Sequence, residues 1–328
     1  MSSQPTYMVL VPVFNEAESL PELTERTFQA FKSIDSEAHF KILFVDDGST
    51  DETRDVIAKL EAAHEYVTSL RFRRNYGKSL ALMAGFRANE ADFVITLDGD
   101  LQDNPEDIPH LIEHISKGAD LVSGWRQKRQ DQKVRKIGSK VFNAVVKKTT
   151  GLALHDINCG FKVYRKDVVD LLAVYGQYHR YIPVLAHLLG FKVDEAEVQN
   201  SARKYGVSKF ATFRYQGVFD LMSILFIYRY GLNPLHFFGV VSLCLIIPGV
   251  LVLLYLFILH AMFWLGLGDE FMLPNRPLLS IALNTTLMGI GVFLAGFVCD
   301  FLLHHQVRKN LSWIIDAAVE PKSPRSKP

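Results

Sequence analysis

The sequence predicts an α/β protein with a mostly parallel sheet and helices on both faces, followed by two helices that cross a membrane. Short apolar runs alternate with stretches of helical periodicity in the first part of the chain, and two long apolar runs lie near its C-terminus. Such an alternation of strand and helix patterns is typical of a parallel sheet. The expected strands are residues 7–13, 41–45, 69–72, 93–97 and 121–124.

Two helix starts are predicted from short polar motifs. Asn15 is followed three residues later by Glu18, and Ser49 by Glu52, which is the spacing of a capping box. Side chains in such a box satisfy the backbone N–H groups that a helix start leaves without partners. The residues of the first helix that are expected to form its buried stripe are Leu20, Leu23, Thr27 and Phe31.

The two C-terminal apolar runs are long enough to cross a bilayer. Residues 235–264 contain no Asp, Glu, Lys or Arg, and a helix of that length exceeds the ~30 Å of the hydrocarbon core. The second run is interrupted by Asn284, Thr285 and Thr286. We therefore predict transmembrane helices at about 235–262 and 278–303. Two core helices of a soluble domain are the alternative, but they would need a large soluble partner fold that is missing from the sequence.

The chain is accordingly expected to contain four segments. They are a catalytic domain (1–212), an interfacial juxtamembrane helix (213–231), the transmembrane pair (232–306) and a partly disordered cytoplasmic tail (307–328). The juxtamembrane helix is expected to lie against the membrane with its apolar face, and an ordinary packing helix of the catalytic domain is the alternative. The residues expected on that face are Val218, Leu221, Met222 and Leu225.

The distribution of basic residues predicts the orientation in the membrane. By the positive-inside rule, both ends of the chain and the catalytic domain face the cytoplasm, so the expected location is the inner, cytoplasmic membrane. No signal peptide is expected, the three cysteines suggest no disulfide framework, and no nucleic-acid footprint is present. Only Arg276 lies between the two spans, whereas the basic residues that flank them are Arg203, Lys204, Lys209, Arg214, Arg229, Arg308 and Lys309.

Polar residues follow four of the predicted strands, at 12–16, 46–49, 98–102 and 124–126. Ligands of open parallel sheets bind beyond the carboxyl ends of the strands. Asp98 and Asp100 leave their strand on the same side and can converge on a hard divalent cation, Mg²⁺ or Mn²⁺, while Gly99 lets a diphosphate approach. Such a cation would stabilise a departing diphosphate as a Lewis acid. A solvated acidic turn is the alternative for this segment.

Four motifs carry a resemblance to a known family. They are PVFNE at 12–16, DDGS at 46–49, DGDLQ at 98–102 and RKYGVSK at 203–209. In this order they resemble the family 2 glycosyltransferases that make polyprenyl-phosphate sugars, which include dolichol-phosphate mannose synthases and bactoprenol glucosyltransferases. The resemblance covers nearly the whole chain and implies a GT-A catalytic domain followed by two transmembrane helices.

The resemblance implies roles for the matching positions. Phe14 stands where Tyr is commoner, so stacking on a base is kept and a hydroxyl contact is lost. Arg126 is also expected to contribute to donor binding. The residues expected to hold the base and ribose are Pro12, Phe14, Glu16 and Asp47, and those expected to hold metal and diphosphate are Asp98, Asp100 and Gln102.

The acceptor phosphate is expected to meet two basic residues before the membrane helices. Arg203 offers a bidentate fork and Lys209 a mobile point charge, although attraction to anionic lipid alone is the alternative. Asp156 matches a family segment whose acidic residue is proposed as base. Because a phosphate monoester has a second pKa near ~6, its oxygen needs little deprotonation, so Asp156 could instead orient the sugar or a clamp residue. The expected catalytic residues are Asp100, Asp156, Arg203 and Lys209.

These features predict the inverting transfer of one hexose from a nucleotide-sugar to a polyisoprenyl phosphate. UDP-glucose and undecaprenyl phosphate are the first expectation from the resemblance, and UDP-N-acetylhexosamine, a UDP-aminoarabinose derivative or GDP-mannose would use the same motifs. A processive synthase would carry a Gln-x-x-Arg-Trp signature, which the sequence lacks. A non-catalytic flippase or assembly subunit would not be expected to retain the DGDLQ motif. The small residues at 289–296 suggest a homo-oligomer.

Overall fold

The computed structural model describes residues 4–34, 39–126, 146–201, 216–231, 233–267 and 276–309. The chain divides into two compact units, Met1–Met222 and Ser223–Pro328. The described residues of the first unit form a seven-stranded sheet. Its strands are β1 (Thr6–Val13), β2 (His39–Asp46), β3 (Val67–Arg71), β4 (Phe93–Thr96), β5 (Leu121–Arg126), β6 (Lys162–Arg165) and β7 (Val193–Val198).

The strand order is β3-β2-β1-β4-β6-β5-β7. β6 lies antiparallel between β4 and β5, whereas the other neighbouring strands are parallel. The five predicted strands are therefore present, in a GT-A-like and mostly parallel sheet with helices, as expected. The sequence prediction missed β6 and β7.

The longer helices found among the described residues connect these strands or follow them. Their ranges are α1 (Leu20–Ile34), α2 (Thr53–Ala63), α3 (Lys78–Arg87), α4 (Ile108–Ser116), α5 (Lys166–Leu171), α6 (Ile182–Leu188), α7 (Gln216–Tyr230), α8 (Pro234–Trp264) and α9 (Arg276–Lys309).

Both faces of the sheet are covered by helices. On one face Val9 and Val11 of β1 share a buried core with the stripe of α1, which includes Phe31. The alternate residue Leu10 points to the other face, where an added Cβ on Gly85 of α3 would lie 2.2 Å from Leu10 Cδ1. This alternation is the period of two that an extended strand imposes, and it confirms the predicted helical layers on both sides.

The helix starts differ from the prediction. α1 begins at Leu20 and α2 at Thr53, and the residue before α2, Glu52, makes no side-chain capping hydrogen bond. Asn15 and Ser49 are therefore not the caps of these helices, and both capping boxes were wrong. The predicted stripe of α1 is buried.

Among the described side chains of α7, Leu221 and Ile224 are buried, whereas Met222 is 60% exposed. Leu221 and Met222 were predicted on the same helical face, but in the structure Leu221 is buried and Met222 is exposed. The side chain of Val218 lies outside the described part. The membrane-surface role of this helix and the segment boundaries at 212 and 231 stay predictions.

α8 and α9 form a candidate transmembrane hairpin, close to the predicted spans. Only 11% of the most apolar stretch of each helix is buried, and a surface that is so apolar and exposed suits lipid better than water. The hydroxyls of Thr285 and Thr286 donate to the carbonyls of Ile281 and Ala282, at 2.7 and 2.8 Å. These polar residues are therefore satisfied inside the helix.

Glycines bring the two helices of the hairpin together. An added Cβ on Gly289 would lie 2.6 Å from Ile246 Cγ1, and one on Gly296 would lie 2.4 Å from Phe238 Cβ. Both distances are too short for a side chain, so these glycines allow close packing within one chain. The homo-oligomer predicted from the 289–296 run stays a prediction.

Candidate active site

The candidate site lies at the edge of the sheet where the parallel strands end. Val13 of β1 pairs with Asp46 of β2, and Thr96 at the end of β4 pairs with Lys162 at the start of β6. Because β6 is antiparallel, its beginning lies at the edge where β4 and β5 finish. The loops after β1, β2 and β4 and the last residue of β5, Arg126, therefore lie at the same edge of the sheet as the segment that precedes β6.

The loops after β1 and β2 are joined by side chains that were predicted to cap helices. Ser49 Oγ accepts the N–H of Asn15 at 3.0 Å, and Asn15 Oδ1 accepts the N–H of Thr50 at 2.8 Å. Asn15 adopts a left-handed backbone with φ of 55°, which asparagine tolerates better than most residues. This arrangement fixes the segment that carries Phe14 and Glu16.

Asp47 is buried and organises the turn that precedes α3. Its two carboxylate oxygens accept the N–H groups of Tyr76 and Gly77 at 2.6 and 2.8 Å. Burial raises the pKa of Asp47, and these two hydrogen bonds oppose that effect. At the next residue, Gly48 (φ +73°), an added Cβ would lie 2.4 Å from the carbonyl carbon of Arg74. Asp47, predicted to contact base and ribose, thus also positions Lys78.

Asp98 is held between a cation and a glycine. The ammonium of Lys78 forms an ion pair with Asp98 Oδ1. On the other side, an added Cβ on Gly160 would lie 2.7 Å from both carboxylate oxygens. Burial would raise the pKa of Asp98, but Lys78, Arg126 and Lys162 together hold it below its usual value. Asp98 is therefore an ionised carboxylate in a fixed position.

The DGDLQ segment continues with a strained turn. Asp100 is buried and its Oδ1 accepts the N–H of Gln102 at 3.2 Å. Leu101 between them is buried and left-handed, with φ of 57°. Such a backbone costs about 1–3 kcal/mol in a residue with a side chain, and the surrounding core must offset it. Strain of this kind is concentrated at functional sites.

Asp103 adds a third carboxylate that the sequence prediction missed. Its side chain is buried, and Oδ1 has no hydrogen-bond partner within the described chain. Burial, together with the neighbouring Asp98, raises the pKa of Asp103 to about 7. A buried carboxylate oxygen without a partner is costly, and a bound cation nearby would reduce that cost.

The residues present fit a divalent cation. Asp98 and Asp100 would supply carboxylate oxygens, and Gln102 follows in the same segment with a side-chain amide oxygen, which is the ligand type that Mg²⁺ and Mn²⁺ prefer. No cluster of three acidic, His or Cys side chains with metal-site geometry occurs in the described ranges. Mg²⁺ usually keeps several waters and binds through one or two carboxylates plus phosphate oxygens, so a ligand set of this size suits a cation carried with a diphosphate.

Arg126 and Asp156 form a second, nearly buried ion pair. Arg126 Nε donates to Asp156 Oδ2 at 2.8 Å, and the guanidinium also donates to the carbonyl of Asn158 at 3.3 Å. The two side chains are 15% and 4% exposed. The sequence predicted both residues at the site, in separate roles, and the structure brings them together. Asp156 thus orients Arg126 within the edge of the site.

Replacing Arg126 by Met is expected to lower the free energy of unfolding of the first unit by about 2 kcal/mol or more, because it removes a cationic partner from the buried Asp156 carboxylate. Chemical denaturation of the purified protein would measure this. The double variant Arg126→Met with Asp156→Leu is expected to recover much of the loss, since both charges are then absent. Equal stability of Arg126→Met and wild type would contradict the pairing.

Two further residues near Asp98, the buried Lys162 and the half-buried His179, were not predicted. Lys162 donates to the carbonyl of Cys159, and burial lowers the pKa of Lys162 to about 8. His179 contacts Ser79 Oγ through Nδ1 at 2.8 Å, and burial, with Lys78 nearby, lowers the pKa of His179 to about 3. His179 is therefore neutral at physiological pH, while Lys162 and Lys78 supply positive charge.

Arg203 and Lys209, the predicted phosphate clamp, lie outside the described residues. Of the other predicted residues, Pro12 lies in β1, and Phe14 and Glu16 follow that strand. Glu16 is close to the DGDLQ loop, because an added Cβ on Gly99 would lie 3.7 Å from Glu16 Cγ. The loop predicted for the nucleoside therefore packs directly on the loop predicted for metal and diphosphate.

Comparison with known proteins agrees with this geometry. The model of the family "Glycosyl transferase family 2" matches residues 8–172. The chain is 32% identical over 319 residues to the undecaprenyl-phosphate 4-deoxy-4-formamido-L-arabinose transferase of Salmonella choleraesuis (strain SC-B67), covering 96% of this chain and 94% of that protein. The same values apply to the enzyme of Salmonella paratyphi B (strain ATCC BAA-1250 / SPB7).

A solved structure shares the fold. Glucosyl-3-phosphoglycerate synthase from Mycobacterium tuberculosis, in complex with phosphoglyceric acid, superposes with a TM-score of 0.50 at 17% identity, covering 69% of this chain and 80% of that one. The family match, the full-length relatives and the GT-A-like sheet confirm the resemblance of the four motifs. The chain therefore belongs to glycosyl transferase family 2 and is a glycosyltransferase of the polyprenyl-phosphate type.

Proposed function

We propose that the protein transfers one sugar from a nucleotide-sugar to undecaprenyl phosphate at the cytoplasmic face of the inner membrane. The observation that carries the proposal is the similarity to undecaprenyl-phosphate sugar transferases over 96% of this chain and 94% of theirs, which extends through the sheet and the apolar hairpin. A lipid-anchored acceptor requires a membrane-bound enzyme, and α8 and α9 are long and apolar enough to provide the anchor.

For the donor we propose a nucleotide-linked 4-deoxy-4-formamido-L-arabinose, because the relatives carry that sugar in their names. UDP-glucose, the first expectation from the sequence, becomes the second candidate. UDP remains the expected nucleotide. Such sugars differ little, so a few polar contacts must distinguish them. An enzyme discriminates strongly when the wrong sugar would leave buried polar groups of the protein without hydrogen-bond partners.

Roles for the site residues follow from their positions. Asp98, Asp100 and Gln102 would hold Mg²⁺ or Mn²⁺ together with the donor diphosphate. The cation, when bound, neutralises the charge that develops on the leaving diphosphate. Pro12, Phe14, Glu16 and Asp47 would surround the base and ribose, because their loop packs on the DGDLQ loop.

The reaction we propose is a single displacement. An oxygen of the acceptor phosphate forms a bond to the anomeric carbon while the bond from that carbon to the diphosphate oxygen breaks, so the configuration inverts. Arg203 and Lys209 would hold the acceptor phosphate. Because that phosphate is largely ionised at neutral pH, Asp156 is not needed as a strong base, and its bond to Arg126 suits a positioning role. The protein acts mainly through orientation and charge.

The test is transfer from a panel of labelled UDP- and GDP-sugars to undecaprenyl phosphate by the purified full-length protein. One donor is expected to give a lipid-linked product, and EDTA is expected to abolish the reaction. Asp100→Asn should lower the rate by at least about a hundredfold, because a metal ligand is lost. Asp170→Asn is the matched control, since that exposed carboxylate pairs with Lys166 away from the site.

Absence of any lipid-linked sugar from folded protein supplied with metal would overturn the proposed reaction. Product from UDP-glucose alone would support the reaction and replace the proposed donor.

A further inference from the structure

The backbone of Lys78 is fixed at the start of α3. Asp47 binds the N–H groups of Tyr76 and Gly77 immediately before it, and Gly77 has a φ of 94° that a residue with a side chain rarely adopts. The backbone at the helix start is therefore determined by the same carboxylate that belongs to the predicted nucleoside site. The ammonium of Lys78 reaches from there to Asp98.

The partner of Lys78 cannot readily move. The main chain at Gly160 lies so close to Asp98 that an added Cβ would be 2.7 Å from each carboxylate oxygen. The Lys78 side chain, in contrast, is 26% exposed and has a flexible four-carbon stem. If the ion pair opens, the lysine is the member that moves.

A free divalent cation and the Lys78 ammonium compete for the same carboxylate. The cation would have to displace the ammonium from Asp98 and would then face it, with Lys162 and Arg126 adding positive charge to the surroundings. Repulsion between like charges is large in a partly desolvated site. A diphosphate removes this conflict, because its oxygens offer the displaced ammonium a new partner.

We propose that Lys78 couples metal binding to the nucleotide. In the free enzyme Lys78 occupies Asp98 and keeps the affinity for a divalent cation low; when the nucleoside diphosphate arrives, Lys78 passes to its phosphates and the cation takes Asp98. The inference deepens the proposed function, on which it rests for the identity of the diphosphate. Release of the product nucleotide then returns Lys78 to Asp98 and expels the cation.

The test is titration of purified full-length protein with MnCl₂, following free Mn²⁺ by electron paramagnetic resonance, without nucleotide and with saturating UDP. GDP is measured in parallel. Wild type is expected to bind Mn²⁺ at least about tenfold more tightly with UDP, a factor that corresponds to ~1.4 kcal/mol. Lys78→Met is expected to bind Mn²⁺ about tenfold more tightly than wild type without nucleotide, and to lose most of the effect of UDP.

Lys78→Arg should retain the coupling, because the guanidinium can still pair with Asp98. Lys166→Met, which removes an exposed lysine on α5, is the control and should behave as wild type. Lys78→Gln provides a second neutral variant if the Met variant melts at a lower temperature. Equal Mn²⁺ affinity of wild type and the neutral variants without nucleotide would overturn the proposal, as would equal wild-type affinity with and without nucleotide. The titration needs no sugar transfer, so its outcome is independent of whether a lipid-linked product forms.

Discussion

Replacing Asp98 by Asn is expected to slow sugar transfer by about a thousandfold, which corresponds to ~4 kcal/mol of transition-state stabilisation. The variant keeps the shape of the side chain and removes its charge. Asp98 is the carboxylate on which the charges of Lys78, Arg126 and Lys162 converge. The substitution therefore removes a proposed metal ligand. It also leaves the positive charges of Lys78, Arg126 and Lys162 less neutralised, and they would repel an entering cation.

Steady-state rates with the identified donor, measured over a range of Mn²⁺ concentrations, would check this prediction. Excess metal is not expected to restore the rate, because Asp98 is also proposed to hold the diphosphate. Asp92→Asn is a suitable control, since Asp92 lies just before β4, at the opposite edge of the sheet, and binds Thr6. A rate within tenfold of wild type would remove Asp98 from the proposed catalytic machinery.

Gly160→Ala is expected to lower the rate by about a hundredfold while leaving the fold largely intact. The new methyl carbon would lie 2.7 Å from both oxygens of Asp98, so the carboxylate must shift by a substantial fraction of an ångström. Displacements of about 1 Å at a reacting centre can cost about a hundredfold in rate. Gly160 does not have a positive φ. Alanine at this position therefore does not introduce the backbone strain that it would introduce at a glycine with a positive φ.

The control is Gly118→Ala. Gly118 follows α4 at the opposite edge of the sheet, has space for a methyl group, and has a φ of 101°. This variant is expected to lose some stability and to keep its specific activity. Melting temperatures of both variants separate the two effects, and an active Gly160→Ala enzyme would show that the position of Asp98 is less critical than proposed.

The sequence predicted most of the sheet because five strands are apolar runs followed by polar loops. The sequence did not predict β6, because this strand is short and bounded by Lys162 and Arg165, although Lys162 is fully buried. β7 alternates acidic and apolar residues at the edge of the sheet, a pattern without a strong apolar signal. Neither strand is specified locally, since each is formed by pairing with distant residues.

The candidate site was predicted in part. Asp47, Asp98, Asp100, Gln102 and Arg126 were predicted because they follow apolar strands, and the structure places them at one edge of the sheet. Lys78 also follows a strand end, that of β3, but after a longer loop, and this position is the sequence signal that marks it. The capping boxes were wrong because polar side chains near a helix start can hydrogen-bond the backbone of a neighbouring loop as well as that of the helix. Tertiary contacts determine which of the two they bind.

The antiparallel β6 has a consequence for how enzymes of this architecture diversify. The chain leaves the sheet at Arg126, the last residue of β5, and returns at Lys162, the first residue of β6, at the same edge. Residues between Arg126 and Asp156 can be gained, lost or exchanged without altering the register of any strand, because β5 and β6 pair directly with each other and Gly160 keeps its place beside Asp98. A lineage can therefore change what it recognises in that excursion while its catalytic framework stays constant.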